Sequence, residues 1–136
     1  MAFAVKAEVR DARARTFAFA AQKTMYGGKQ VAAGDTVYVF ASENEGGAGL
    51  VARGVVTSAE AVPRKRGVTR QTPRVTIAVR RTALARRPLG RAELRPFAGR
   101  GDAAPEAELH FKLYRQATDK IAGISEETAT FLERFF

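Results

Sequence analysis

The sequence predicts a β-rich, mixed α+β domain: a partly closed β-barrel carrying short helices, with residues 1–136 forming one domain. Three observations predict it. Short runs of alternating or β-branched residues recur along the chain, the period-2 pattern of strands with a buried face. Glycine-bearing turns separate these runs, as at Gly34-Asp35 and Gly46-Gly47. Helical signals are confined to short stretches, the clearest at the C-terminal end. A chain of 136 residues, 46% of them hydrophobic, can close one core without staples.

Phe3, Val5, Ala7 and Val9 alternate with Lys6 and Glu8, so residues 3–9 read as a strand. Residues 12–24 are ambiguous: Phe17 and Phe19 favour a strand, the alanines a short helix. A loop follows, and TVYVFA at 36–41 reads as a strand buried on both faces. Residues 43–49 form a turn, and 50–56 return as the second arm of a hairpin. Residues 57–73 are expected to be a connection ending in the basic loop PRKRGVTRQTP. The cleanest strand is 74–81. Val75, Ile77 and Val79 share one face, and Arg74, Thr76, Ala78 and Arg80 the other. A short helix fits 88–97 and a flexible loop 98–106. Leu109, Phe111 and Leu113 alternate with His110, Lys112 and Tyr114, which predicts a late strand with Phe111 in the core. Ser125 is a helix N-cap, with Glu126 and Glu127 in the first turn, Ile124 stapled onto Ala129, and Phe131, Leu132 and Phe135 packing inward.

Charge narrows the function. The net charge is +9, and its distribution is uneven. Residues 64–100 carry twelve basic groups and one acid, residues 1–63 are nearly balanced, and residues 101–136 are net negative. One third of the chain supplies the excess, and eleven of its twelve cations are Arg. An Arg fork grips phosphate with two hydrogen bonds and stacks on bases. The expected partner is a polyanion, RNA or DNA. Arg64, Arg66, Arg70, Arg74 and Arg80 are the expected phosphate contacts, forming one patch.

Catalytic chemistry finds few parts. The chain has no Cys and one His, His110. Disulfides, thiolate zinc sites, Cys nucleophiles and Ser-His-Asp hydrolysis thereby lose their components. Gly27-Gly28-Lys29-Gln30 fails as a phosphate loop, which needs an earlier Gly and a Ser or Thr after the Lys. No catalytic residue, metal or cofactor is assigned. The lack of Cys and of any long apolar run fits a cytoplasmic protein away from membranes. Among the aromatics, Tyr26 precedes a glycine pair in a loop and is the best stacking candidate.

The segment AAGDTVYVFASENEGGAGLVARGVV resembles the hairpin of the PUA-like superfamily, particularly its EVE and ASCH branches. Its features are a Gly-Asp turn, a hydrophobic strand, a polar loop and a returning strand ending in a glycine–valine run. PLGRAELRPF resembles the EVE branch's short segment with a leucine-rich helix, and LYRQATDKIAGISEETATFLERFF resembles its Arg-Gln strand followed by an Ile-Ser-Glu-Glu helix. The resemblance spans roughly residues 20–60 and 84–136 and implies a pseudo-barrel with a pocket for a nucleobase, often a modified one. It would place Tyr26, Phe40 and Ser42 in that pocket, with Arg115 and Gln116 at its rim. Lys23-Thr24 is similar to an ASCH Lys-Thr pair. Some amidohydrolases of that branch extend the pair to a second Thr nucleophile, and here that place is Tyr26. The EVE branch opens on a Trp-bearing strand, whereas this chain has no Trp.

The expected function is therefore a binding module that recognises RNA or a modified DNA base. A small hydrolase or nuclease on nucleic-acid or nucleoside-like substrates is the alternative, and docking on an acidic protein is a third reading. Competition between RNA, modified DNA and an acidic protein discriminates them.

Overall fold

The structure, a computed structural model, describes residues 1–68, 70–100 and 104–136. Its strands are β1 (Ala2–Ala7), β2 (Thr16–Met25), β3 (Thr36–Ala41), β4 (Gly49–Ala61), β5 (Arg74–Leu84) and β6 (Lys120–Ile124). They close into a barrel in the order β1-β3-β4-β5-β2-β6. The helices are short: α1 (Arg91–Leu94), α2 (Pro105–Leu109) and α3 (Glu126–Glu133). A π-helical turn over His110–Tyr114 continues α2.

Two apolar cores explain the two-sided hydrophobicity of β1 and β3. Inside the barrel, Phe3 and Val5 meet Val37, Val39, Ile77 and Ile121. Outside it, Ala4, Tyr38 and Phe40 lie under the helices against Leu94, Leu109, Leu113 and Leu132. β3 is thus buried on both faces, as its unbroken run of β-branched and aromatic residues requires. β1 runs parallel to β3 and antiparallel to β6.

β2 contains the feature that the ambiguous stretch 12–24 concealed. Its register against β5 shifts between Phe19 and Gln22, the mark of a bulge. Ala21 sits there at φ 51°, with its N–H bonded to Thr76 Oγ1 at 3.0 Å. Before the bulge the odd residues Phe17 and Phe19 are buried; after it, Gln22 and Thr24 are. The inserted residue reverses the parity of the strand and turns Lys23 to the outer face.

The C-terminal third departs from expectation most. Residues 109–114 are helical rather than a strand. Leu109 and Leu113, four apart, are fully buried, while Phe111 is 45% exposed. The alternation Leu109, Phe111, Leu113 imitates a strand, but only the i, i+4 pair faces the core. Arg115 and Gln116 accordingly lie at the end of this helical segment and not in a strand. The last strand is instead β6, too short at five residues to announce itself. β4 also runs to Ala61, beyond the expected end at 56. The loop expected at 98–106 lies partly outside the described residues, and from Pro105 the chain is helical. The C-terminal helix starts as expected, with Ser125 Oγ accepting from the Thr128 N–H.

Candidate nucleic-acid interface

Strand pairing assembles a row of cations on the outer face of the barrel. Lys6 on β1 pairs with Lys120 on β6. Lys120 pairs on its other side with Lys23 on β2, and Lys23 with Arg74 on β5. Directly paired residues share a face, and like charges so placed repel. The row grades from buried to open: Lys6 and Lys120 are each 1% exposed, Lys23 is half-buried and Arg74 exposed.

At the open end lies a cleft of about 780 Å³, lined by Lys23, Arg64, Lys65, Arg74 and Thr118 among others. Its outer wall is the β4–β5 loop, clipped by a reciprocal pair. The Lys65 N–H donates to Gln71 Oε1 at 3.0 Å, and Gln71 Nε2 donates to the Lys65 carbonyl at 2.8 Å. Arg74 Nη1 donates to the Ala21 carbonyl of the bulge at 2.9 Å, which fixes one edge of its fork.

Beside the buried end lies an aromatic ledge. Tyr26 has φ 50° and is followed by Gly27 at φ 85°. The corner is pressed onto β6, where a Cβ on Gly28 would stand 2.3 Å from the Ile121 carbonyl oxygen. This close approach holds the Tyr26 ring outward, 43% exposed. Its centroid is 5.6 Å from the exposed Phe111 ring. Lys112 Nζ lies 5.4 Å from the Tyr26 centroid, and the Arg115 guanidinium 4.4 Å from that of Phe111, within cation–π range. Between ledge and barrel is a cavity of about 30 Å³, which Tyr26, Arg115, Gln116 and Lys120 help to line. It has room for about one water-sized group and is far too small for a nucleobase.

The structure thus regroups the expected pocket residues. Tyr26, Arg115 and Gln116 come together, and Lys23 borders them through its pairing with Lys120. Phe40 does not join them. It is fully buried in the core under the helices, because β3 is covered on its outer face, and cannot offer a ring to a ligand there. Ser42 is also buried, its Oγ without a hydrogen-bond partner among the described residues. Thr24 points into the barrel and donates its hydroxyl to the Pro73 carbonyl at 2.7 Å. Of the five expected phosphate contacts, Arg64 and Arg74 line the cleft. Arg66 and Arg70 are exposed in its loop. Arg80 is exposed on the outer face of β5, six residues from Arg74, which is about 20 Å along a strand.

Lys6 and Lys120 were not anticipated, because each joins the site through a strand pairing made across the fold. Lys65 stands in the expected basic loop, and Phe111, expected in the core, is exposed; only the helical spacing of Leu109 and Leu113 could have flagged it.

The lysine pair is electrostatically unusual. Lys120 Nζ donates to the Gln116 carbonyl at 2.8 Å, and Lys6 Nζ approaches the same oxygen at 3.4 Å. Among the described residues neither ammonium makes an ion pair. The nearby acids are engaged elsewhere. Glu43 accepts from Tyr114 Oη and the Arg91 N–H, and Glu45 is hydrogen-bonded to Asp119, which lifts its carboxyl to about 7. Burial, then the charges of Lys6 and Lys23, push Lys120 down to about 8. Burial also lowers Lys6.

No family model and no curated protein matches this sequence. Its fold does match solved structures. A protein from Pseudomonas putida aligns at TM-score 0.64 and 12% identity, over 99% of each chain. The DUF55 domain of human thymocyte nuclear protein 1 aligns at 0.62 and 12% identity, over 96% of this chain and 95% of that one. The human THYN1 protein in complex with 5-methylcytosine-containing DNA aligns at 0.61 and 12% identity, over 96% and 94%. The chain has a PUA-like barrel fold. This PUA-like barrel has no grouping of three or more His, Asp or Glu suited to a metal ion among its described residues. None of its described helices is long and apolar enough to cross a membrane.

Proposed function

We propose that this domain binds nucleic acid, with phosphates in the Lys23–Arg74 cleft and a base stacked on the Tyr26–Phe111 ledge. The observation that carries the reading is the Lys23–Lys120 pair. It joins the two features, since Lys23 lines the cleft and Lys120 the cavity under the ledge. A strand lying across the pair puts its backbone against cations and turns a base onto exposed rings, the combination that single-strand binders use. The likeness in fold to thymocyte nuclear protein 1, solved with methylated DNA, supports a nucleic-acid partner.

The ligand class follows from the ledge. It offers a face and not an enclosure, so the base must be unpaired or turned out of its duplex, as in single-stranded RNA or around a modified DNA base. Anisotropy titrations with single-stranded RNA, single-stranded DNA and duplexes with and without 5-methylcytosine test this. Single strands or the methylated duplex bind more tightly than the plain duplex, and every affinity falls with salt. Equal binding of an acidic polypeptide, or no binding to any nucleic acid at low salt, overturns it.

A further inference from the structure

We propose that the cavity of about 30 Å³ beneath Arg115 and Gln116 is an oxyanion subsite that takes one end of a phosphate group. Three cations line it, Lys112, Arg115 and Lys120, with Tyr26, Gln116 and Phe111, and its lining includes no acid. Lys112 is already engaged by Glu108 at 3.0 Å and the Gly123 carbonyl at 2.8 Å. Arg115 is exposed and stacks on Phe111. Lys120 is the exceptional member, 1% exposed and bonded, among the described residues, only to backbone carbonyls, Gln116 at 2.8 Å and Leu113 at 3.5 Å.

A buried ammonium is costly unless an opposite charge answers it. Here the second buried ammonium, Lys6, stands across the β1–β6 ladder and aggravates the cost. An anion entering the cavity supplies the missing charge and accepts the one hydrogen bond that Lys120 has left to give. The volume sets the size of the group. One phosphoryl oxygen can enter, while the rest of a phosphate monoester stays outside beside Arg115. A whole nucleobase does not fit the cavity as it stands. The same chemistry comes from two sources: the terminal phosphate of a nucleic-acid strand, or free inorganic phosphate. The subsite stands beside the strand-binding reading and does not depend on it.

The test is thermal unfolding in sodium phosphate against sodium chloride of equal ionic strength, for the wild type, Lys120→Met and Arg115→Ala. The wild type gains melting temperature as phosphate rises, by the linkage of binding to folding. Phosphate also stabilises proteins generally by exclusion from their surface, and Lys120→Met measures that background. Arg115→Ala, altered only at an exposed residue, keeps the test available if Lys120→Met folds poorly, and shows a weaker phosphate response. A parallel titration compares oligonucleotides with and without a 5′-phosphate. Loss of a charge-assisted contact predicts about tenfold weaker binding of the unphosphorylated strand, abolished in Lys120→Met. A wild type no more responsive than both variants overturns the subsite. If inorganic phosphate stabilises through Lys120 while no oligonucleotide binds, the subsite stands and the strand-binding reading falls. If oligonucleotides bind through Arg74 with no preference for a 5′-phosphate and no response to phosphate, the reverse holds.

Discussion

Lys6 and Lys120 face each other across the β1–β6 ladder, and both direct their ammonium groups at the carbonyl oxygen of Gln116. Two cations sharing one neutral acceptor destabilise the fold while both are charged. Lys120 is held near 8, below its ordinary 10.5, so the folded state binds fewer protons than the unfolded chain between those values. Stability therefore rises with pH from about 8 towards 10.5. The gain is bounded at about 3 kcal/mol by the size of the shift. Urea unfolding at pH 7.5 and 9.5 should show this rise in the wild type and lose it in Lys120→Met. At pH 7.5 that variant should also be the more stable.

Glu108 titrates in the opposite sense. Its burial alone would raise its pKa, but the hydroxyls of Ser125 and Thr128, the Ser125 N–H and Lys112 overcome this and bring it to about 2. Its oxygens accept from Ser125 Oγ at 2.6 Å and Thr128 Oγ1 at 2.7 Å, locking the start of α3 to α2. A depressed carboxylate stabilises the fold above its unfolded value near 4.5, and that stability is lost as pH falls towards 2. Glu108→Gln should cost about 2–3 kcal/mol at pH 7 and almost nothing at pH 2, measured by denaturant unfolding at each pH.

Gly28→Ala tests how the ledge is held. The new methyl group would meet the Ile121 carbonyl at 2.3 Å, a distance that forces the corner away from β6. The expected loss is about 1–3 kcal/mol of stability, as in other overpacked sites. The Tyr26 ring should move with the corner. Unfolding experiments and the Tyr26–Phe111 cross-peaks in NMR check both effects.

The cleft makes a separate prediction about salt. Lys23→Ala combined with Arg74→Ala should reduce the slope of log K against log salt by about two, one for each lost phosphate contact. Arg80→Ala should leave it unchanged, because Arg80 lies outside the cleft. Titrations at four salt concentrations give the slopes. An equal loss from Arg80→Ala would move the phosphate track onto the length of β5.

Stacking should appear without any loss of fold. Tyr26→Ala and Phe111→Ala each remove an exposed ring, so melting temperatures should change little. Binding of a single strand should weaken by about 1–3 kcal/mol for each ring. Normal binding by both variants would remove the ledge from the interface.

The strands β1, β3 and β5 were legible because their residues alternate or crowd in ways that only a pleated sheet accommodates. The N-cap at Ser125 was legible for a similar reason, since its hydroxyl and the acids after it are local signals. Tyr26 stood out because an aromatic before two glycines has little local purpose. The helical segment 109–114 was misread because three alternating apolar residues satisfy a strand template as well as the i, i+4 pair satisfies a helix. Leu94 and Leu132, packed outside the barrel with Leu109 and Leu113, favour the helix, and those contacts are remote in sequence.

Local patterning along the chain was enough to read a β-rich barrel with short helices, a charge excess in residues 64–100 and an aromatic corner at Tyr26. Which cations share a site depends on how the strands pair. Lys6, Lys23, Arg74 and Lys120 are spread over more than a hundred residues of chain, and three strand pairings place them in one row. The bulge at Ala21 decides that Lys23 faces that row and not the barrel interior. The physical reason is that alternation within a strand is local, whereas register between strands is set by the packing of both cores around them.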